Sequence, residues 1–352
     1  MPAVHSPLAV PQVTALSGMT VLVTGGAGFI GSSLCRVLTS SGARVIAYDN
    51  LATGTVANLD LDDEPDLASA AERLQFLHGD VRDAEKLRRT LAGVDVVYHL
   101  ACLGVRHSIH SPFENHHVNA TGTLTLLEES HRAGVGRVVH VSSSEVYGTA
   151  VTVPMSESHT TDPHTVYGGS KLAGECYARA FHRCYDYETV VIRPFNAYGP
   201  RSHHEGDSGE VIPRFLVRAL NDEPLVVFGD GTQTRDLTHV YDTAAAIARA
   251  GIAPNVVGMT INVGSDDEIS VNRLAELILE VTGSTAGLEH IEPRPGDVLR
   301  LFADSRRAAE VLDHRPAVSL REGIADLAER LGALGSEELA RRAKNIHIRN
   351  WQ

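Results

Sequence analysis

Short apolar runs alternate with longer stretches of helical periodicity through the first half of the chain. The runs are rich in Val, Leu and Ile, which is typical of parallel strands that are covered on both faces. The predicted strands are Thr20–Thr24, Arg44–Tyr48, Leu74–His78, Val94–Leu100, Val138–Ser142 and Thr189–Arg193. The predicted helices between them are Ile30–Thr39, Ala84–Leu91, Pro112–Arg132 and Tyr167–Cys184. This alternation predicts an α/β fold with a doubly wound parallel sheet.

The pattern changes after Asn196. A polar, Gly-rich stretch with the sequence GPRSHHEGDSGE is too long for a simple connection, and such loops usually bind or cover something. A helix is predicted near Ile212–Leu220, whereas the helix Tyr241–Ala250 and the strand Thr260–Val263 are expected to return to the main sheet. The expected units are a flexible tail over 1–18, a first domain over 19–195 with about 237–265, and a smaller, mainly helical lobe over 196–236 and 266–345.

Composition and charge narrow the functional classes. Hydrophobic residues make up 43% and charged residues 21% of the chain, which is typical of a soluble globular protein. The net charge of −13 argues against a nucleic-acid binder. The four cysteines have no metal-binding spacing and indicate a reducing compartment. Since no apolar run has the length of a membrane span and no signal peptide is evident, we expect a cytoplasmic protein.

The segment VLVTGGAGFIG indicates a dinucleotide site, because its spaced glycines follow a predicted strand and begin a predicted helix. Gly25 permits the tight turn, Gly28 lets the backbone approach a pyrophosphate, and Gly31 allows close packing of helix and strand. Asp49 ends the second strand, where a carboxylate accepts hydrogen bonds from the adenosine ribose. Asn50 follows it with no adjacent Arg or Lys, which favours NAD over NADP. The motif predicts a Rossmann-type domain that binds NAD.

Tyr167 and Lys171 are four residues apart on a predicted helix and therefore share one face. A tyrosine is a poor base at its ordinary pKa near 10, but a lysine ammonium one turn away, with the positive nicotinamide, favours the phenolate and lowers that pKa. A hydroxyl-rich strand end, VSSSEVYG, precedes the pair. Together these residues indicate chemistry between an alcohol and a carbonyl.

The spaced glycines, the strand-end serines, the YxxxK pattern, RPFNAYGPR and GDGTQTRDLTHV resemble the extended short-chain dehydrogenase/reductase family that modifies nucleotide sugars. The resemblance runs from about Thr20 to about Asp297. It implies NAD held through whole turnovers, homodimers packed through helices, and a UDP-sugar or another NDP-sugar at the junction of the lobes. The family contains epimerases, dehydratases and decarboxylases.

The resemblance assigns roles to individual residues. Ser143 falls at the catalytic Ser or Thr, Tyr167 at the base, and Lys171 at the residue that holds the nicotinamide ribose and tunes the tyrosine. The residues expected at the cofactor are Gly25, Gly28, Phe29, Ile30, Gly31, Asp49, Asn50, Gly54, Asp80, Val81, Leu100, Ala101, Tyr167 and Lys171. Those expected at the substrate are Arg106, Ser143, Ser144, Asn196, Arg201, Val211, Arg235, Arg294 and Asp297.

The reaction after formation of a 4-keto sugar depends on Ser144 and Glu145. The 4,6-dehydratases carry an Asp-Glu pair at these positions, so Ser144 argues against dehydration. The UDP-glucuronate decarboxylases carry Thr-Ser-Glu, close to the Ser-Ser-Glu found here, and Glu145 is a tentative catalytic residue. The segment GVRHSIHSP, which contains Arg106, resembles the corresponding loop of uronate 4-epimerases. We favour 4-epimerisation of a UDP-hexose or UDP-hexuronic acid, with decarboxylation as the main alternative.

Three further expectations follow. A non-catalytic NAD-binding module is disfavoured because Ser143, Tyr167 and Lys171 are all present. No metal is expected, since the adjacent histidines His203 and His204 lack a supporting carboxylate pattern. Glu210 places an anion where several relatives have an amide near the diphosphate, and pairing with Arg201 or Arg214 would offset that charge.

Overall fold

The computed structural model describes residues 8–13, 15–61, 65–206, 209–294 and 297–349. Residues 1–7 of the expected tail lie outside this part. Of the remaining tail, Val13 and Leu16 are buried in the main hydrophobic core, and the Val13 amide donates a 2.9 Å hydrogen bond to Ser41 Oγ. The expectation of a loose tail is wrong at these two residues, because their apolar side chains pack beneath the first helix.

The elements follow the predicted alternation. The strands are β1 Thr20–Thr24, β2 Arg44–Asp49, β3 Leu74–His78, β4 Val96–His99, β5 Arg137–Val141, β6 Thr189–Pro194, β7 Asn196–Tyr198, β8 Leu225–Phe228, β9 Thr234–His239, β10 Thr260–Val263, β11 Glu268–Ser270, β12 Leu288–Ile291 and β13 Arg300–Leu301. The α-helices are α1 Phe29–Ser40, α2 Ala84–Thr90, α3 Val105–His110, α4 Pro112–His116, α5 Gly122–Ala133, α6 Val166–Tyr185, α7 Val211–Leu220, α8 Val240–Ala250, α9 Val271–Thr282, α10 Arg306–Leu312, α11 Leu320–Gly332 and α12 Ser336–Lys344.

Seven parallel strands form the central sheet in the order β10-β6-β5-β4-β1-β2-β3. The strand order reverses between β1 and β4, and ligands of such sheets bind outside the carboxyl ends of the strands at that point. The predicted doubly wound α/β fold is confirmed. The return of Thr260–Val263 to the main sheet is also confirmed, since β10 pairs with β6.

The predicted helix over Pro112–Arg132 is interrupted by a π-helical turn, His117–Thr121, between α4 and α5. Such turns occur mostly inside α-helices and often at functional sites. Asn119 in this turn accepts from the Leu103 amide at 2.8 Å and donates to Ser170 Oγ on α6 at 3.1 Å. The turn therefore fixes the segment after β4 against the helix that carries Tyr167 and Lys171.

The C-terminal lobe forms its own apolar cluster beside two small sheets. In one, β9 pairs with β7, β11 and β13; in the other, β8 pairs with β12. Helices α7, α9 and α11 pack together on this cluster. The first turn of α7 faces the carboxyl ends of the central strands across a cleft. The boundaries given above for the two lobes stay a prediction.

Candidate active site

A cavity of about 520 Å³ lies in this cleft, at the carboxyl ends of β1, β2, β4 and β5. Nearly every predicted site residue lines it, including the glycine loop, the strand-end serines, Tyr167, Lys171, Asn196 and Val211. Gly54, Asp80 and Arg201 are the predicted residues that do not line it. The Rossmann side and the C-terminal lobe therefore build one continuous site.

The glycine loop between β1 and α1 is shaped for close backbone approach. Gly25 has a φ of +70°, and a Cβ added there would lie 2.7 Å from the Ala101 amide nitrogen. A Cβ on Gly31 would overlap the carbonyl oxygen of Gly25. Helix α1 then begins at Phe29, so its first free amides face the cavity. This arrangement fits a dinucleotide pyrophosphate, which helix N-termini attract.

Asp49 supports this loop as well as lining the cavity. Its Oδ2 accepts from the Ala27 amide at 3.0 Å and its Oδ1 accepts from the Leu51 amide at 2.7 Å. An ionised carboxylate has about four acceptor sites, so each oxygen retains capacity for a ribose hydroxyl. The sequence predicted the position of Asp49 but not its bond to the glycine loop.

Asp80 does not line the cavity, but it binds two residues that do, Asn50 and Arg82. Its carboxylate accepts from Asn50 Nδ2 at 2.9 Å and pairs with the Arg82 guanidinium at 2.6 Å. The hydrogen bond from Arg82 is the main reason that the pKa of Asp80 falls to about 2. Arg82 itself lines the cavity and was not predicted from sequence.

The predicted triad meets where the two lobes join. Tyr167 lies close enough to Ser143 for the serine side chain to lower its pKa, and Ser143 Oγ accepts from the Glu145 amide at 3.2 Å. Lys171 Nζ is buried and donates to the Val141 carbonyl oxygen at 2.6 Å. The end of β5 and the first turns of α6 therefore meet at the cavity.

The protein's own groups favour the neutral form of Tyr167. Burial raises the pKa of Tyr167, the neighbouring Cys102 raises it further, and the Ser143 side chain opposes this shift. Burial lowers the pKa of Lys171. The Lys171 ammonium is directed to the Val141 carbonyl oxygen. Cys102 lines the cavity beside Tyr167 and was not among the predicted site residues.

A buried ionic network holds the strand end that carries Ser143. Glu175 Oε1 accepts from Ser142 Oγ at 2.6 Å and from Arg193 Nε at 2.8 Å, while Oε2 accepts from Arg193 Nη2 at 2.6 Å. Burial opposes ionisation of Glu175, but the bonds from Arg193 outweigh it and its pKa lies below the ordinary value. Glu175 follows Tyr167 and Lys171 at helical spacing, which is the sequence signal that would have identified it.

The C-terminal lobe contributes the predicted arginines. Arg235 Nη2 pairs with Asp297 Oδ1 at 2.7 Å, so its partner is not the adjacent Asp236. The Arg294 guanidinium lies over the ring of Phe228, 4.7 Å from the centroid. Phe228 also lines the cavity and was missed by the sequence analysis. A flat aromatic surface beside two guanidinium groups can receive a base and a phosphate.

Glu210 does not have the partners that the sequence suggested. Arg201 donates to Ser33 Oγ and to the Tyr241 hydroxyl, outside the cavity, and Arg214 donates to backbone carbonyls near the C-terminus. Burial raises the pKa of Glu210 to about 8, opposed only by Arg106 on α3. The two arginines that would have offset the charge of Glu210 are directed elsewhere, and the charge of Arg106 acts on Glu210 instead.

Arg106, Arg214 and Arg294 form a cationic wall at this end of the cavity. Burial lowers the pKa of Arg106 to about 10, and the positive charges of the other two lower it further. Burial also lowers the pKa of Arg214 to about 10. Because these buried cations repel one another, an anionic ligand would be strongly favoured beside them.

Glu145 lines the cavity between the triad and the arginines. Burial raises its pKa, and Arg235 is the main charge opposing that shift.

Within the described residues, no group of three or more His, Cys, Asp and Glu side chains is arranged to hold a metal ion. None of the described helices combines the length and apolar character needed to cross a membrane.

Comparisons with known proteins agree with this geometry. Residues 21–264 match the model of the NAD dependent epimerase/dehydratase family. A UDP-glucose 4-epimerase from Mycolicibacterium smegmatis is 38% identical over 315 residues, covering 88% of this chain and 98% of the relative.

Two solved structures have the same fold. An epimerase from Methanothermobacter thermautotrophicus superposes with a TM-score of 0.86 at 36% identity, covering 94% of this chain and 96% of that one. A UDP-glucuronic acid 4-epimerase from Bacillus cereus, in complex with UDP-glucuronic acid and NAD, superposes with a TM-score of 0.81 at 32% identity, covering 90% of this chain and all of that one. The chain belongs to the NAD-dependent epimerase/dehydratase family and is an enzyme of the extended short-chain dehydrogenase/reductase type.

Proposed function

We propose that this member of the family is a nucleotide-sugar 4-epimerase that acts on a UDP-hexose or UDP-hexuronic acid through a transient 4-keto sugar. The observation that carries the proposal is the meeting of Ser143 and Tyr167, beside Lys171, in one cavity between the glycine loop and the cationic wall. This arrangement supports a sugar that lies between a dinucleotide on one side and its own diphosphate on the other.

The residues of the Rossmann side fit NAD. The glycine loop would hold the pyrophosphate and Asp49 the adenosine ribose, since its oxygens retain acceptor capacity. Lys171 would hold the nicotinamide ribose. When bound, NAD supplies a hydride acceptor that can return the hydride to the same carbon.

The side chains of the triad handle the proton. Ser143 would donate its hydrogen bond to the C4 oxygen of the sugar and position it, while Tyr167 removes the C4 hydroxyl proton. The raised pKa of Tyr167 favours the phenol form, so a nearby positive charge is needed to favour the phenolate. After the 4-keto sugar rotates, C4 regains its hydride on the opposite face while Tyr167 returns its proton to the C4 oxygen, and together these give the C4 epimer.

The cationic wall, together with Arg235, would bind the substrate diphosphate. Arg106, Arg235 and Arg294 line the cavity on both sides of the cleft, and Asn196 has a buried Oδ1 without a partner in the described residues. Planar guanidinium groups suit phosphate oxygens. Asp297, paired with Arg235, would meet the nucleotide ribose.

Decarboxylation of UDP-glucuronate is the second candidate, and Glu145 favours it. Its carboxyl faces the cavity next to Ser143 and its pKa is raised by burial, as suits a group that exchanges a proton. Dehydration is disfavoured, because the neighbouring residue is Ser144 and offers no acidic proton for the leaving C6 hydroxyl.

A homodimer is proposed through the outer face of α4, α5 and α6. Large apolar side chains are exposed there, with Phe113 at 80% and Leu124, Val166 and Tyr185 also exposed. Helix α6 packs against both α4 and α5, so these exposed apolar side chains are carried by helices that are held together. A second copy of the chain would cover them in the cytoplasm, where we place the enzyme.

The deciding experiment is incubation of purified protein, without added cofactor, with UDP-glucose, UDP-N-acetylglucosamine and UDP-glucuronic acid. An unchanged product mass with inverted C4 proton coupling is expected and identifies the substrate. Loss of carbon dioxide from the UDP-glucuronic acid would show that the enzyme is a decarboxylase and that the proposed epimerisation is wrong. Loss of water would show dehydration.

The matched variants are Tyr167→Phe and Tyr177→Phe, which remove one hydroxyl each from the same helix. Only Tyr167 lines the cavity. Tyr167→Phe should abolish turnover while retaining folding and NAD, and Tyr177→Phe should retain activity. Full activity in Tyr167→Phe would refute the assignment of the base.

A further inference from the structure

The chain after α12 returns to the cavity. Ile346 and Ile348 both line it, although they lie more than a hundred residues beyond α7, on which this segment packs. Ile346 is buried against Val217 of α7, whereas Ile348 keeps 40% of its surface exposed. We define Asn345–Arg349 as the C-terminal strap.

Arg214 fastens the strap to the cationic wall. Its Nη2 donates to the carbonyl oxygens of His347 at 2.8 Å and Ile348 at 3.3 Å. The Arg214 side chain is itself buried, and the charge of Arg294 lies close enough to lower its pKa further. The strap and the proposed diphosphate site therefore share one guanidinium group.

The opposite wall is also apolar. Val226 and Phe228 of β8 line the same cavity, with the Arg294 guanidinium over the ring of Phe228. A slot with apolar faces and a few fixed cations suits a heteroaromatic base joined to phosphates. Partial exposure of Ile348 leaves apolar surface that such a base would cover.

We propose that the C-terminal strap is part of the nucleotide subsite, with Ile346 and Ile348 forming an apolar wall for the base of a nucleoside diphosphate. This inference rests on the proposed function, because it needs a nucleotide at the cationic end of the cavity. Binding of the diphosphate beside Arg214 and ordering of the strap against the base are then coupled through the two carbonyl bonds. The strap is thus a binding element of the substrate site, outside the family motifs.

The test measures the affinity of NAD-loaded protein for UDP by titration calorimetry. Ile348→Ala should weaken UDP binding about fivefold, because it removes apolar contact without touching the arginines. A chain that ends at Lys344 should weaken it about tenfold or more, since Arg214 also loses its two acceptors. Leu334→Ala is the matched control: Leu334 is 42% exposed, lies outside the cavity and should leave UDP affinity unchanged.

The outcomes separate this inference from the proposed function. If the wild-type protein does not bind UDP, the proposed UDP-sugar substrate is wrong, and the inference falls with it. If the wild-type binds UDP and Ile348→Ala binds it equally well, the strap is not part of the subsite while the proposed function stands. The NAD content of each variant should equal that of the wild type, and loss of NAD from Ile348→Ala would show a general structural effect instead. The single substitution decides the question even if the shortened chain does not fold.

Discussion

Replacing Glu175 by glutamine should destabilise the protein far more than its conservative chemistry suggests. Glu175 is fully buried and accepts four hydrogen bonds, from Ser142, from Arg179 and twice from Arg193. Its lowered pKa keeps it ionised at neutral pH. Glutamine removes the negative charge and replaces one carboxylate oxygen by an amide NH2 group, which cannot accept a hydrogen bond from the groups that donate to Glu175.

The magnitude follows from what is left behind. The Arg193 side chain is 4% exposed, so its guanidinium would remain buried without a counter-charge. Breaking such a buried pair by changing one partner costs about 3–5 kcal/mol, a large part of the roughly 5–15 kcal/mol that stabilises a typical domain. Turnover should also fall, since Ser142 would lose the bond that fixes the strand end before Ser143.

The assay is urea unfolding followed by circular dichroism, with the free energy of unfolding from linear extrapolation. Glu280→Gln is the control, because Glu280 pairs with Arg273 and Arg321 on the exposed surface and such pairs contribute little. A loss below about 1 kcal/mol in Glu175→Gln would refute the view that the buried charge stabilises this network.

Three further predictions concern the cofactor loop, pH and thiol reactivity. Gly31→Ala should lower the NAD content of the purified protein at least tenfold, because its Cβ would overlap the Gly25 carbonyl oxygen. The control Gly332→Ala has open space around the added Cβ and should retain NAD. Chromatography of the NAD released from each protein checks this prediction. The folded-state pKa of Glu210, about 8, lies above the unfolded value of about 4.3. The neutral carboxyl therefore contributes fully to the free energy of unfolding below about pH 4, and this contribution is lost as the pH rises to about 8. Urea unfolding at several pH values should show this decline, and Glu210→Gln should reduce it; an identical decline in the variant would contradict the assignment. Burial raises the pKa of Cys35 to about 12, so an aromatic disulfide reagent should label Cys35 only after unfolding, and mass spectrometry showing native labelling would disprove its burial.

The sequence predicted the central sheet well because its signals are local. Strands buried on both faces are continuous apolar runs, and the glycine loop needs fixed spacing between Gly25 and Gly31. The Tyr167 and Lys171 pair follows from helical periodicity alone. These features depend on neighbours in the chain, so a single sequence contains the required information.

The remaining features depend on contacts between distant segments. Pairing with Arg201 or Arg214 would have offset the charge of Glu210, but the chain turns those guanidinium groups elsewhere, and the charge of Arg106 acts on Glu210 instead. Cys102 gave no local pattern to mark its contact with Tyr167. Long, flexible charged side chains have several candidate partners within reach, and only the packed backbone selects among them.

The main hydrophobic core has a consequence for biosynthesis. Its members come from the N-terminal strands and from Ala244–Ala250, Val263 and Leu312, so it spans nearly the whole sequence. A ribosome-bound chain that has just completed β6 therefore exposes the surface that α8 and β10 later cover. Since domains generally fold as units while they are being made, the Rossmann half must wait for the segments beyond the substrate lobe. We expect a fragment ending near residue 195 to aggregate or to recruit chaperones, and the two lobes to be inseparable as expressed pieces.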